Sequence, residues 1–582
     1  MKVTTSNPRT LTAALALIVG AASGLAAVVL KWLIATVSGF LTAHVKIADA
    51  NWLYLVLPAV GILIAGLYVR YVVRDNIYHG VTRVLYAIAL KQSRLKPKHT
   101  YASLLSSAVT IGFGGSVGAE GPIVFTGAAI GSNLGQMFRL SPQLLMMLVG
   151  CGAAAGIAGI FKAPIAGVLF TVEVLMLDLT AGSAIPLIIA SVAGATVSYI
   201  ATGYNVEFFF TQSEHFTARG IPYVITLGVV CGMMSLLFIK TLSMMEGMFG
   251  SIRRAWQRYL LGAVMLSVLI FLFPPLYGEG YTGINSLLSG NTEAVFGGSM
   301  FYTYRHSTIA IVLFITALAM FKAFATSATN GGGGVGGTFA PSLYVGCMLG
   351  FAFAYAVNAY SPFGTELSTK NFALMGMAGV MAGVMHAPLM AIFLTAEMTG
   401  GYELFLPLLI VSVTGYATCR MFTPYGIYSA RLAQRGELLT HQKDRSVLTL
   451  LKMDNVIETD FTTVTPAMSL KDMVDVISHS HRNLYPVIDN DGSLLGVVLL
   501  DDIRNIMFRP DLYRKMTVSR FMSTPPARVV LGTSMDKVMN TFDSTGAWNL
   551  PVVDERGHYV GFVSKSKIFM SYRQVLKHYS YD

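Results

Sequence analysis

Two stretches of the chain decide its fold. Residues 152–174 read GAAAGIAGIFKAPIAGVLFTVEV, and residues 376–398 read GMAGVMAGVMHAPLMAIFLTAEM. At a constant offset of 224 positions they share the residues Gly152, Ala154, Ala158, Gly159, Ala163, Pro164, Thr171 and Glu173. Small residues recur in any packed membrane helix, but this does not predict an Ala-Pro pair followed nine residues later by Glu in both copies. The sequence therefore predicts a duplicated helical domain.

A second pair of matching stretches lies upstream of the first pair. At an offset of 219 positions the matches are Gly118, Pro122, Gly127 and Gly131 with Gly337, Pro341, Gly346 and Gly350. Glycine and proline at short intervals interrupt helices, and an interrupted backbone is tolerated in a membrane only where it is buried in protein or lines a cavity. In transporters made of two halves, the site lies where the interrupted helices meet. We therefore expect residues 112–135 and 331–350 to line a pathway.

The composition places the chain among membrane proteins. Hydrophobic residues make up 54% of the 582 residues and charged residues only 12%, whereas soluble domains have about 25% charged residues. The net charge of +11 comes from basic residues between long apolar runs, as in membrane-protein loops, so we expect no nucleic-acid partner. The four cysteines lie in apolar sequence without CxxC spacing, so neither a disulfide framework nor a metal site is expected.

Charge is distributed unevenly along the chain. The first 430 residues hold 22 of the 41 Lys and Arg and 13 of the 30 Asp and Glu, so the remainder is far richer in charge. Several uncharged runs in the first part can cross about 30 Å of hydrocarbon as helices. Seven basic residues and one acid from Arg70 to Lys98 indicate a cytoplasmic segment. We expect a multi-pass domain of the cell membrane over residues 1–430, a linker over residues 431–452 and a soluble tail, with both termini cytoplasmic.

The residues at the two predicted helix interruptions suit an anion. Residues 118–122 read GAEGP, and residues 337–341 read GTFAP. Free N–H groups at a helix N-terminus, together with the positive end of the helix dipole, bind an anion without the grip of a full cation. Glycine lets the backbone approach the ion, and proline starts the helix without removing a needed donor. The two loops therefore predict an anion site.

These loops resemble those of the CLC chloride channel and transporter family. GGSVGAEGP at residues 114–122 is similar to the family's glutamate loop, GGTFAPSLYVG at residues 336–346 to its second anion loop, and YGIYS at residues 425–429 to the segment with its pore tyrosine. The resemblance implies an all-α membrane domain of two inverted repeats with interrupted helices. It also implies a homodimer in membrane lipid, with chloride or a similar small anion as substrate. By this resemblance the gating carboxylate is Glu120, and the anion contacts are Gly118, Gly121, Thr338, Phe339 and Tyr428.

The chain departs from the family pattern at two places. Residues 78–82 read YHGVT where the family has Gly-Ser-Gly-Ile-Pro, so His79 stands at an anion-contacting position and leaves the anion preference open. Proton-coupled members carry an inner glutamate after the position of Glu173, and this chain has the non-titratable Val174 there. We therefore expect a passive chloride channel, gated by voltage or pH, with a chloride/proton antiporter as the alternative.

Some of these residues allow a structural interpretation. Glu173 and Glu397 occupy matched repeat positions, and acids so placed more often cap neighbouring helices than take part in transport. His79 fits a polar loop as well as a pore lining. Tyr428 also fits an interfacial aromatic, although the pore role is favoured.

Two other functions have weaker support in the sequence. A membrane enzyme would use Ser116 as nucleophile or Glu120 as base, but no partner pair of Asp and His is apparent, so we expect no enzymatic activity and no required cofactor. A nucleotide sensor would have its function in the tail. Such a protein has no need of two matched glycine-proline breaks in its membrane anchor.

The tail contains a second duplication. Residues 485–503 read YPVIDNDGSLLGVVLLDDI, and residues 550–568 read LPVVDERGHYVGFVSKSKI, an offset of 65 positions. Each copy has two apolar strands around a turn, followed by a helix start. The pattern resembles a tandem pair of CBS domains, here at residues 453–509 and 516–575, which form a soluble α/β unit.

The CBS resemblance implies an adenine nucleotide in the cleft of the pair. Asp502 stands at the position that often holds the ribose, whereas the second copy has Lys567 there and the first has Leu499 in place of the usual threonine. We expect one weak nucleotide site at most, with a regulatory role.

Overall fold

The computed structural model describes residues 8–42, 52–75, 77–90, 93–204, 208, 216–360, 366–433 and 453–571. The chain divides into two compact units, Met1–Leu438 and Leu439–Asp582. Most of the predicted linker and the last residues of the second predicted CBS domain lie outside the described residues.

The described part of the first unit is helical. Its α-helices are α1 (Pro8–Thr42), α2 (Leu53–Leu67), α3 (Gly80–Leu90), α4 (His99–Gly112), α5 (Glu120–Met137), α6 (Pro142–Phe161), α7 (Pro164–Glu173), α8 (Ala181–Thr202), α9 (Ile221–Ser251), α10 (Ala255–Leu272), α11 (Tyr281–Leu288), α12 (Thr308–Gly332), α13 (Phe339–Tyr360), α14 (Thr369–Met385), α15 (Pro388–Thr399), α16 (Phe405–Arg420) and α17 (Ile427–Ala433). Among the described residues, eight helical segments have the length and hydropathy of a membrane span. This agrees with the predicted multi-pass membrane domain.

Helix contacts repeat with a shift of eight helices. In the first half α1 packs on α6 and α8, and α5 packs on α6; in the second half α9 packs on α14 and α16, and α13 packs on α14. The halves also meet directly, since α7 packs on α15. The duplication predicted from the sequence is therefore confirmed, because matched helices pack against each other in the same way in both halves.

Matched residues have matched backbone geometry in the two halves. Lys162 and His386, which precede the Ala-Pro pairs, have φ of +56° and +57°. A Cβ atom on Gly127 would lie 2.1 Å from the carbonyl oxygen of Gly152. One on Gly346 would lie 2.2 Å from that of Gly376. The repeated glycines thus let α5 approach α6, and α13 approach α14, backbone to backbone.

The second unit contains short strands and helices. They are β1 (Ile457–Glu458), α18 (Leu470–Ser478), β2 (Leu484–Ile488), β3 (Leu494–Leu499), α19 (Leu500–Ile503), α20 (Val518–Phe521), β4 (Val529–Val530), α21 (Met535–Thr545), β5 (Asn549–Val553) and β6 (Tyr559–Ser564). The strands β2 and β3 form an antiparallel hairpin, and the other sheet has the order β1-β6-β5-β4, with β4 and β5 parallel.

The two hairpins of this unit are related by the 65-residue repeat. The register of β2–β3 shifts between Val487 and Ile488, and that of β5–β6 shifts at the matched Val552. Their turns contact each other reciprocally, because Leu494 N–H donates to the Gly557 carbonyl at 3.2 Å and Tyr559 N–H donates to the Gly492 carbonyl at 2.9 Å. The unit has two buried apolar clusters, one mainly from each copy, and each also includes residues of the other copy, Met453 and Val456 in one and Val518 in the other.

Candidate functional site

The two glycine loops that precede α5 and α13 are hydrogen-bonded to each other. The Gly118 N–H donates to the Gly337 carbonyl at 3.0 Å, and the Gly337 N–H donates to the Gly118 carbonyl at 2.7 Å. These glycines are matched at the 219-residue offset. The helices α5 and α13 therefore begin side by side, although their first residues are far apart in the chain.

The Glu120 carboxylate occupies the N-terminus of the opposite half's helix. Its Oε1 accepts a hydrogen bond of 2.6 Å from the Phe339 N–H, at the first residue of α13. The side chain is 1% exposed. A helix N-terminus stabilises a negative charge through its free N–H groups and its dipole. The carboxylate of Glu120 thus lies where the sequence predicts an anion.

Glycine is required on both sides of this carboxylate. A Cβ atom on Gly118 would lie 1.9 Å from Glu120 Oε2, and one on Gly337 would lie 2.2 Å from Oε1. Gly121 packs closely too, with its Cβ position 3.0 Å from the Gly337 Cα. Since the Gly118 N–H is engaged with the opposite loop, its role as an anion donor stays a prediction.

Tyr428 lies next to the second loop. The Thr338 hydroxyl donates to the Tyr428 hydroxyl at 3.3 Å, and Tyr428 is 5% exposed. The structure therefore brings Glu120, Thr338, Phe339 and Tyr428 together in one buried site.

His79 directly precedes α3, with φ of +57°. The helix α3 packs on both α5 and α17. At its first residue, a Cβ atom on Gly80 would lie 2.4 Å from the Gly121 carbonyl oxygen. His79 is thus one residue from a backbone contact with α5, and its contact with an anion stays a prediction.

Glu173 and Glu397 cap each other's helices. The two carboxylate oxygens of Glu173, at the end of α7, accept from Leu389 N–H at 3.1 Å and Met390 N–H at 2.8 Å in the first turn of α15. In return Glu397, near the end of α15, accepts from the N–H groups of Ile165 (3.0 Å) and Ala166 (2.9 Å) in the first turn of α7. The predicted capping role is confirmed for both acids.

Val174 follows Glu173 and is buried, with 4% exposure. Its N–H donates to the Phe170 carbonyl at the C-terminal end of α7. An isopropyl side chain therefore fills the position at which the sequence comparison expects a proton-accepting acid in coupled relatives.

Two charged residues near the site were not predicted from the sequence. Lys322 on α12 is fully buried, and Glu279 accepts a hydrogen bond of 3.0 Å from the Ala119 N–H. A signal for Lys322 was present, because it stands alone in a 25-residue apolar helix and ionisable residues within membrane spans are generally functional. Glu279 had no such signal, since it lies between helices.

The predicted nucleotide residue Asp502 lies in α19 and is exposed. Leu499, which ends β3, is 41% exposed. Nucleotide binding at these residues stays a prediction.

Comparisons with known proteins agree with this architecture. Residues 60–420 match the family described as voltage-gated chloride channel, and residues 453–509 and 518–573 match CBS domains. A ClcB-like chloride channel protein of Ralstonia nicotianae is 30% identical over 433 residues, which cover 72% of this chain and 96% of the relative. The voltage-gated ClC-type chloride channel ClcB of Escherichia coli K12 is 30% identical over 337 residues, covering 57% and 75%.

Solved structures share the fold. A slow cyanobacterial Cl⁻/H⁺ antiporter aligns with a TM-score of 0.63 at 22% identity, covering 74% of this chain and 99% of that one. A eukaryotic CLC transporter aligns with a TM-score of 0.60 at 18% identity, covering 96% and 99%. The second alignment extends through the CBS pair as well as the helical unit.

Proposed function

We propose that this chain, which belongs to the voltage-gated chloride channel (CLC) family and transports chloride across a membrane, works as a passive channel gated by Glu120. In the gating step, the Glu120 carboxylate leaves the Phe339 N–H and chloride takes its place. Both are anions, so they compete for the same positive helix end. Protonation of Glu120 removes its charge and favours the open arrangement.

The groups that would hold chloride are polar but uncharged. They are the backbone N–H groups of Gly121, Thr338 and Phe339, the hydroxyl of Tyr428 and the imidazole of His79, whereas the Gly118 N–H is already bonded to the Gly337 carbonyl. Dipolar donors of this kind bind an anion and also release it quickly, which a channel requires.

The observation that carries the passive mechanism is the environment of Glu173. Both of its carboxylate oxygens accept backbone N–H groups of α15. A proton on this carboxylate would break at least one of those bonds, so Glu173 is a poor proton relay. The following residue, Val174, has no titratable group. The chain therefore lacks an inner acid at the position through which coupled relatives pass protons.

The antiporter is the second candidate. It is favoured by two solved structures with this fold, which belong to a slow cyanobacterial Cl⁻/H⁺ antiporter and a CLC-type fluoride/proton antiporter. The curated relatives are named as channels, which favours the first candidate.

Reversal potentials distinguish the two candidates. The purified full-length protein in proteoliposomes, under a chloride gradient, should reverse at the chloride Nernst potential at every pH. A pH gradient alone should drive no uphill chloride movement. A reversal potential that shifts with pH at fixed chloride, or proton uptake driven by chloride efflux, would establish the antiporter instead.

The remaining assignments belong to the same proposal. We expect a homodimer in the cell membrane with both termini in the cytoplasm, where the CBS pair meets cytoplasmic adenine nucleotides. Chemical labelling of single cysteines at the two termini in sealed cells tests the orientation.

A further inference from the structure

A buried lysine lies behind the loop that carries Glu120. Lys322 on α12 is 0% exposed, and its ammonium donates to the Ser116 hydroxyl oxygen at 2.8 Å. It also donates to the carbonyl oxygens of Gly278 at 3.0 Å and Leu276 at 3.5 Å. The Tyr344 ring centroid lies 4.9 Å from its Nζ. Three acceptors and an aromatic face suit a protonated lysine, so Lys322 brings a positive charge into the protein interior.

The same face of α12 fixes the Glu120 loop in place. The Thr326 hydroxyl donates to the Ser116 carbonyl at 2.8 Å, and the Ser116 N–H donates to the Thr329 hydroxyl at 3.1 Å. Residues 322, 326 and 329 follow one another along one side of a helix. The lysine is therefore attached to the loop that ends at Glu120 and cannot move independently of it.

The segment before α11, whose Leu276 and Gly278 carbonyls accept from Lys322, also contains the acid Glu279. Glu279 Oε1 accepts the Ala119 N–H, one residue before α5, and the Gly278 N–H donates to the Gly114 carbonyl at 3.2 Å. The start of α5 therefore contacts the Glu279 carboxylate, as the start of α13 contacts that of Glu120. Each of the two matched helix starts meets a carboxylate.

These charges act on one another. A carboxylate at Glu279 repels that of Glu120 and an ammonium at Lys322 attracts it, because both groups are bonded to the loop that ends at Glu120. Other ionisable groups around α5 and its partners include Tyr344, Tyr428, Arg431 and His99, whose ring is tilted against that of Phe125 on α5. Of all these groups, Glu279 accepts the N–H of Ala119, one residue before Glu120, and Lys322 donates to Ser116 of the same loop.

We propose that Glu279 and Lys322 are positioning residues that adjust the Glu120 gate in opposite directions. The proposal rests on the gating role of Glu120. Lys322 stabilises the Glu120 carboxylate in its closed place, so loss of the lysine should let acid open the gate at higher pH. Glu279 destabilises the charged form of Glu120 by repulsion, so loss of Glu279 should move acid activation of flux to lower pH.

Chloride flux against pH, in proteoliposomes of the full-length protein, tests this proposal. Glu279→Gln should lower the pH of half-activation and Lys322→Met should raise it, each by on the order of one pH unit, the effect of a nearby unit charge at an effective dielectric constant of about 20. The double variant should return close to wild type because the two charges offset each other. In a Glu120→Gln background, neither substitution should alter the pH dependence.

The controls remove equal charges at distant sites. Lys240→Met on α9 and Glu293→Gln, whose side chain is 57% exposed, should leave the half-activation pH unchanged. Size-exclusion chromatography in detergent checks folding. If Lys322→Met does not fold, Glu279→Gln alone carries the test.

The outcomes separate this inference from the proposed function. If wild-type flux is present and Glu120→Gln loses acid activation, but Glu279→Gln leaves the half-activation pH unchanged, the positioning proposal is overturned while the gate stands. Shifts of the same sign for the acid and the lysine would also overturn it, because they would indicate a structural effect. If acid activation survives in Glu120→Gln, the gate itself is wrong.

Discussion

In the first half of the membrane unit α5 begins with Glu120, and in the second half α13 begins with Phe339 at the matched position. The two loops share the preceding glycine, the proline and their backbone pairing, whereas the three residues between differ. The difference between Glu120 and Phe339 lets the side chain of one half reach the N–H of the other at 2.6 Å. The first half thus supplies the carboxylate, and the second half supplies the helix N-terminus that binds it.

Elsewhere the two halves remain equivalent. Glu173 and Glu397 exchange identical caps between α7 and α15. The matched residues Lys162 and His386 share a positive φ despite different side chains. Backbone geometry and capping are therefore symmetric at these positions, whereas Glu120 and Phe339 form an asymmetric pair at the centre.

The largest expected effect is that of Glu120→Gln, which removes the charge from the asymmetric position and keeps its shape. Chloride flux should persist, and its rise on acidification should fall from roughly tenfold per pH unit, the most a single titrating group gives, to less than about twofold. Stopped-flow chloride efflux from proteoliposomes between acid and neutral pH measures this. Complete loss of flux in a folded variant would contradict the gate and favour a catalytic role.

The symmetric pair gives the next largest effect, on stability. Glu173→Gln and Glu397→Gln each place an amide NH₂ group against a backbone N–H, so each should cost about 1–3 kcal/mol. Because the caps are equivalent, the two losses should be similar. Thermal unfolding in detergent measures them, with the exposed Glu403→Gln as control. A large loss for one acid and none for the other would break the symmetry.

Transport should be insensitive to the same caps. In Glu173→Gln the reversal potential should still follow chloride alone, since we assign this acid to structure. A pH-dependent term that is present in wild type and disappears in Glu173→Gln would make it a proton carrier.

A smaller effect is expected at His79, which belongs to a helix start of the first half only. An imidazole N–H can donate to an anion and gains charge near neutral pH. His79→Ser should change the chloride-to-nitrate permeability ratio by a few-fold, about 1 kcal/mol, and change its pH dependence at the same time. Bi-ionic potentials measure the ratio, with the exposed His306→Ser as control. Unchanged ratios would return His79 to an ordinary loop residue.

The smallest effect is expected in the CBS pair. One of the matched positions at which its two copies differ holds Asp502 in the first and Lys567 in the second. Asp502 offers a carboxylate to a ribose, and Lys567 in the other copy does not. Isothermal calorimetry on residues 439–582 should find one weak site at most for ATP, ADP or AMP, weakened further by Asp502→Ala and not by Asp491→Ala. Absence of heat with all three nucleotides would remove the nucleotide assignment.

Much of the architecture could be predicted from the sequence. Helix interruptions require glycine and proline, and membrane spans require long apolar runs, so both leave local marks. The duplication appeared as offsets of 224 and 219 residues, and the structural role of Glu173 and Glu397 followed from their matched positions. These properties depend on residues that are adjacent in the sequence, or they become visible when one part of the sequence is aligned with another.

Only the tertiary structure decided which groups meet. The bond between Glu120 and Phe339, the exchange of caps between α7 and α15 and the attachment of Lys322 to Ser116 join residues separated by roughly 200 positions or more. Glu279 gave no local signal, because a charged residue between helices is typical of any loop. Such contacts depend on how the helices of the two halves pack. That packing requires glycine at the matched positions, because a Cβ atom there would overlap the neighbouring backbone.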